Sequence, residues 1–156
     1  MERTDCEKSL IVRMPAGGGV IRTAEDALGW IPSGVINGAT ESFGAIYLDS
    51  GQRVIRRKVL FKGGVSRTLV DTKVVFWEAC RLKASAVIVF HNHPSGSVEP
   101  SAEDFDTTKR LVKGGELIGV QVLDHLVVSS WRWLSFRERG LMDKAEGGEE
   151  MVADRN

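Results

Sequence analysis

Ala84-Ser85-Ala86-Val87-Ile88-Val89-Phe90-His91-Asn92-His93-Pro94 is the stretch on which the fold turns. Ala84 to Phe90 is a continuous apolar run of strand length, with none of the polar alternation of a half-exposed strand. That is the pattern of a central strand covered on both faces. The run stops at His91, and Pro94 cannot continue a sheet ladder.

Downstream, Ser95-Gly96 turns the chain and Pro100-Ser101 opens a helix that Gly114-Gly115 is expected to stop. Val120 to Val128 reads as a further strand, and Trp131 to Phe136 as a short edge strand. Upstream, Thr72 to Leu82 carries Val74, Val75, Trp77, Ala79 and Leu82 between polar residues, the marks of a helix. Ser42 to Leu48 and Arg53 to Phe61, joined at Asp49-Ser50-Gly51, predict an antiparallel hairpin. Thr23 caps a short helix through Leu28, with Glu25 and Asp26 in its first turn, and a Gly/Pro-containing segment runs from Gly29 to Gly38. A hairpin followed by alternating helices and strands predicts a mixed sheet flanked by helices, an α/β sandwich.

The chain's 156 residues suit a single domain. We divide it into a partly flexible lead-in over 1–22, one domain over 23–142, and a tail over 143–156. That tail is rich in Glu and Gly and is expected to be disordered. Twenty-one basic residues balance 21 acidic ones, which argues against the broad basic surface of non-specific nucleic-acid binders. Cys6 and Cys80 form no C-x-x-C pair, so no cysteine zinc site is readable, and Cys80 reads as a small buried hydrophobe. The charged start MERTDCEKSL has no signal-peptide core, and the apolar run is too short to span a bilayer. The expectation is a soluble cytoplasmic protein with no membrane partner. No G-x-G-x-x-G or P-loop follows a strand.

The chemistry lies in His91-Asn92-His93-Pro94 and Ser101-Ala102-Glu103-Asp104. Side chains two apart on an extended segment share a face, so His91 and His93 present their imidazoles together. The loop is long enough to bring the first turn of the following helix, with Asp104, back to the strand end. Two neutral imidazoles and a carboxylate suit one zinc ion per chain, and three protein ligands leave a fourth position for water. Ser101-x-x-Asp104 is also a capping-box pattern. Capping by Ser101 and ligation by Asp104 are compatible.

Read whole, His91-x-His93-Pro94 followed by Ser101-x-x-Asp104, with ten residues between His93 and Asp104, resembles the signature of JAMM (JAB/MPN) metallopeptidase-like domains. The wording His-Asn-His-Pro-Ser-Gly resembles the RadC branch in particular. So do Tyr47-Leu48-Asp49, Leu60-Phe61-Lys62-Gly63, Val122-Leu123-Asp124-His125-Leu126 and Arg137-Glu138-Arg139-Gly140. The resemblance covers roughly Glu41 to Leu141. It implies a cytidine-deaminase-like three-layer fold and zinc-dependent hydrolysis of a peptide or isopeptide bond. By position it implies Glu41 as general acid/base and Ser101 as the serine that helps stabilise the oxyanion. Glu25 and Glu78 fall in expected helices and fit that role less well.

Two departures from the resemblance stand out: Gly63-Gly64 after the Leu-Phe strand, and Thr72-Lys73 at the next helix start. Nothing in residues 1–40 resembles the helix-hairpin-helix module of longer RadC proteins. A zinc base deaminase would want His-x-Glu with Pro-Cys-x-x-Cys, which is absent. The alternatives to a hydrolase are a RadC-like protein associated with DNA repair or nucleic-acid processing, and a non-catalytic MPN scaffold. His125 reads first as a histidine hydrogen-bonded within its strand, and Asp124 as structural, although either would serve to orient a metal ligand. Trp77, Trp131 and Trp133 read as core or edge aromatics. Arg56-Arg57-Lys58 reads as a charged edge that blocks strand association.

Overall fold

The computed structural model describes residues 18–63 and 70–145. Most of the expected lead-in, Gly64 and residues 146–156 lie outside them. The elements run α1 (Ala24–Leu28), α2 (Ser33–Ile36), β1 (Ser42–Leu48), β2 (Val54–Lys62), α3 (Thr72–Arg81), β3 (Ala86–Asn92), α4 (Ala102–Ile118), β4 (Gln121–Val128), β5 (Trp133–Ser135) and α5 (Met142–Ala145). Five strands form one mixed sheet in the order β2-β1-β3-β4-β5. β3 pairs antiparallel to β1 and parallel to β4.

Strand periodicity separates two cores. Ile46, Leu48, Ile88, Phe90, Leu126 and Val128 face α1 and α2, whereas Ala45, Tyr47, Val87, Val89 and Val122 face α3 and α4. The fold is thus a three-layer α/β/α arrangement, as expected. β3 is buried along its whole length, and so is β1, because both are central. β2 is an edge strand and exposes Arg56 and Lys58, matching the reading of a charged edge. Arg57 is half-buried and donates to the Trp30 carbonyl at 2.8 Å.

α1 begins where expected: the Thr23 hydroxyl accepts from the Asp26 amide at 3.1 Å, and Asp26 returns a bond to the Thr23 amide at 3.0 Å. α2 was not expected. Four residues have little helical stability of their own, but Val35 and Ile36 are buried, and burial contributes roughly 1.5–3 kcal/mol for each such side chain.

The structure corrects several expectations. Gly114-Gly115 does not stop α4, which continues to Ile118 and ends at Gly119 with a left-handed φ of 85°. Gly115 instead lets the helix lie against β4, for a Cβ there would stand 2.2 Å from the Val120 carbonyl oxygen. On α3, Val75, Phe76 and Ala79 face the core. Trp77 and Cys80 are turned to the opposite side by the 100° step of the helix. Cys80 is therefore exposed and Trp77 is 64% exposed, with the Arg81 guanidinium over its ring. Trp131 is exposed in the β4–β5 turn, whereas Trp133 packs at the edge of the core. Asp143 to Ala145, assigned to the tail by composition, form part of α5. Among the described residues, no helix is long and apolar enough to cross a membrane.

Candidate metal centre and catalytic cleft

β3 delivers His91 at its penultimate position, on the face shared with Val87 and Val89 that looks towards α4. His93 follows the strand end, where its amide donates to the Val128 carbonyl at 2.9 Å. The His93–Asp104 connection, including Pro94 and Pro100, then carries the chain to α4, with Asp104 in its first turn.

The three side chains converge. His91 Nε2 lies 2.9 Å from His93 Nε2 and 3.1 Å from Asp104 Oδ1, and His93 Nε2 lies 3.2 Å from Asp104 Oδ2. Their side chains are only 10–14% exposed. Two imidazole nitrogens and a carboxylate crowded this closely need positive charge among them, either protons or a cation. For zinc bonds of ~2.0–2.1 Å, tetrahedral neighbours stand ~3.3 Å apart, so these donors would need to open by only a few tenths of an ångström. The donor set fits a borderline cation such as zinc. These are also the three residues among those described that group their ligand atoms within 4.8 Å of one another.

Burial opposes ionisation of Asp104, but hydrogen bonds from His91 and His93 outweigh it and hold the carboxyl far below the usual range. Donating to Asp104 raises His93 against the opposing effect of burial, with the charge of Asp104, a bond to the Ser97 carbonyl and the charge of Glu41 adding to the rise. Burial, then the charge of His91, pushes His125 well below the ordinary range for histidine.

The group lies in a cleft of about 360 Å³ also lined by Glu41, Phe43, Phe61 and Ser101. Glu41 is exposed, immediately before β1, and its carbonyl accepts from the Gly63 amide at 2.9 Å. Ser101 is the N-cap of α4, where its Oγ accepts from the Asp104 amide at 3.1 Å. A hydroxyl that accepts there keeps its own hydrogen free to donate. The two other acids considered stand elsewhere. Glu25 is on α1, behind the sheet. Glu78 is buried on α3 and held by Arg81 at 2.6 Å, Lys58 at 3.5 Å and Arg56 at 3.6 Å.

Four further residues bear on the site. His125 is fully buried, with Nε2 2.7 Å from His91 Nδ1 and Nδ1 2.6 Å from Thr108 Oγ1. Its ring bonds to a site histidine on β3 and to α4, where the expectation was a bond within its own strand. Asp124 is structural, accepting from Ser135 Oγ at 2.6 Å and from the Arg137 amide at 3.0 Å. Asn92 was not singled out by the sequence. Alternation turns it to the face opposite His91, where its Oδ1 accepts from the Ser42 amide at 2.6 Å and its Nδ2 donates to the Thr40 carbonyl at 3.0 Å. It thereby fastens the backbone on either side of Glu41. A buried amide between two buried-strand signals must find partners, and that was the available clue. For Thr108 the clue was its i+4 spacing from Asp104.

The RadC-like JAB domain family model matches residues 21–141. A UPF0758 protein of Geobacillus sp. strain WCH70 is 40% identical over 121 residues, covering 78% of this chain and 54% of that protein. A UPF0758 protein of Geobacillus thermodenitrificans strain NG80-2 is 41% identical over the same shares. One from Bacillus mycoides strain KBAB4 is 38% identical over 120 residues, 77% of this chain and 53% of its own length. The chain spans about half the length of these curated relatives. With the signature residues gathered in one cleft and the match running through all five strands, the chain belongs to the RadC-like JAB domain family.

Proposed function

We propose that this chain is a zinc-dependent hydrolase of the JAMM type that cleaves a peptide or isopeptide bond. The observation that carries the reading is the meeting of His91, His93 and Asp104 at the wall of a cleft that Glu41 and Ser101 also line.

His91 and His93 would hold one zinc through Nε2, and Asp104 through its carboxylate. Zinc so bound supplies a Lewis acid that activates water near neutral pH. Glu41, exposed on the cleft wall and carried on a short segment anchored by Asn92, takes a proton from the attacking water in this reading. As water's oxygen bonds to the carbonyl carbon, Ser101 donates its free hydroxyl hydrogen to the developing oxyanion. Glu41 then passes its proton to the departing amine as the C–N bond breaks. Phe43 and Phe61 give the cleft an apolar wall that limits water around the reacting groups.

The test is zinc content and cleavage of peptide and isopeptide libraries by the wild type and Glu41→Gln. About one zinc per chain, with cleavage lost in Glu41→Gln and zinc retained, supports the reading. Zinc without cleavage under any condition would favour a non-catalytic scaffold of the same fold.

A further inference from the structure

Resting on the metal-site reading above, we infer that Thr108 and His125 are positioning residues that hold His91 in the one tautomer able to bind a cation. A single hydrogen, on the Thr108 hydroxyl, sets the direction of the chain of bonds. The Thr108 hydroxyl lies 2.8 Å from the Asp104 carbonyl oxygen, one helical turn back, and donates to it. Threonine commonly bonds backwards along a helix in this way. Its oxygen can then only accept from His125 Nδ1, 2.6 Å away.

A neutral imidazole has one N–H, so His125 Nε2 is an acceptor. The hydrogen on the 2.7 Å bond to His91 therefore belongs to His91 Nδ1. A neutral His91 then has Nε2 as a lone pair pointing at His93 and Asp104. When Nε2 also carries a proton towards Asp104, His91 keeps its Nδ1 hydrogen, and a cation takes that proton's place. The reverse polarity would put a hydrogen on His91 Nε2, where a cation must bind. His125 is held in place by aromatic packing. Its ring stacks on Phe136 at 4.8 Å between centroids and meets the edge of Phe43 at 5.8 Å. His93 is oriented separately, by its Nδ1 bond to the Ser97 carbonyl at 2.8 Å.

The backbone is arranged for this contact. Val87 pairs with Val122 but Ile88 pairs with Asp124, so β4 carries one extra residue, Leu123, at a bulge. Without that bulge His125 would face away from α4, because a one-residue shift reverses every side chain beyond it. The bonds also close a ring: Asp104 is joined through its own carbonyl, Thr108 and His125 to His91, its partner at the cation. Helix α4 and strands β3 and β4 are thereby locked together at the site.

The experiment uses the full chain with ¹⁵N-labelled histidine, metal-free at pH 8, reading the His91 ring nitrogens by two-bond ¹H–¹⁵N NMR. Zinc affinity is measured in parallel by competition with a chromophoric chelator. Wild type should show a hydrogen on His91 Nδ1, with none on Nε2 in the neutral ring. Thr108→Val, close in shape but without the hydroxyl, should move that hydrogen to Nε2 and weaken zinc binding roughly 10- to 100-fold. Thr108→Ser should restore both, which a purely packing role for the methyl group would not allow. A Thr108→Val protein with the wild-type tautomer and wild-type zinc affinity overturns the inference, as does a wild-type neutral His91 with its hydrogen on Nε2 and none on Nδ1. If wild type binds no zinc at all, the metal reading fails, and the His91 tautomers in wild type and Thr108→Val still decide this one.

Discussion

Ser101 and Asp104 exchange hydrogen bonds in both directions: Ser101 Oγ accepts the Asp104 amide at 3.1 Å, and Asp104 Oδ2 accepts the Ser101 amide at 2.9 Å. The same carboxylate also faces His91 and His93. Capping the helix fixes the rotamer of Asp104, so one local motif both starts α4 and aims a candidate ligand.

Separate substitutions should split these two roles. Ser101→Ala removes one half of the cap and should lower stability by about 1 kcal/mol. It should reduce cleavage by about 10²-fold if Ser101 serves the oxyanion, with zinc retained. Asp104→Asn keeps the size of the side chain but should lose zinc. Urea denaturation and metal analysis of the two variants check this, and stoichiometric zinc in Asp104→Asn would remove Asp104 from the ligand set.

Asn92 holds the backbone on both sides of Glu41. Asn92→Ala strands the Ser42 amide and the Thr40 carbonyl, at a cost of about 1–3 kcal/mol. It should also lower kcat by more than it changes zinc affinity, because Glu41 loses its fixed position while the ligands stay. Equal stability and equal turnover in wild type and variant would show that the 38–42 segment is held by other contacts.

Metal-free protein should be most stable near the ordinary histidine value. Burial of neutral His125 removes stability as pH falls below about 6.5, while His93 removes it on the alkaline side. His93 is raised in the folded state, so the stability it contributes is complete below about pH 6.5, the ordinary histidine value. That stability is lost as pH rises through the elevated folded value. Asp104 is depressed, so its contribution is present above about pH 3.9 and fades as pH falls towards its folded value. Urea midpoints measured in chelator from pH 4 to pH 9 should fall on the alkaline side, and His93→Ala should flatten that limb. A wild-type profile already flat there would contradict the raised His93.

Gly115→Ala tests the close approach of α4 to β4. Alanine is the better helix former by about 1 kcal/mol, so propensity alone anticipates a gain. A Cβ 2.2 Å from the Val120 backbone oxygen instead forces the helix and strand apart, and overpacking of this kind costs roughly 1–3 kcal/mol. A fall in thermal midpoint is the expected result, and a rise would show that the helix end yields freely.

What the sequence determined by itself was whatever local spacing controls. The apolar run before His91 specified a central buried strand, the turn at Asp49-Ser50-Gly51 specified the hairpin, and the Thr23 and Ser101 signals marked two helix starts. The short spacings among His91, His93, Ser101 and Asp104 brought those residues to one place, because a strand end, a loop and a first helical turn leave the chain little freedom. Glu41 came from resemblance to a family, since nothing in its own neighbourhood marks it.

Tertiary structure decided the rest. Gly114-Gly115 looked like a stop until β4 and Phe76 explained the need for small residues in mid-helix. Cys80 read as buried and Trp77 as a core or edge aromatic until the sheet and α4 chose which side of α3 to cover. His125 contacts His91 only because a one-residue bulge reverses the pleat of β4. A bulge arises from the pairing of two strands distant in sequence, so it leaves no periodic trace in either one.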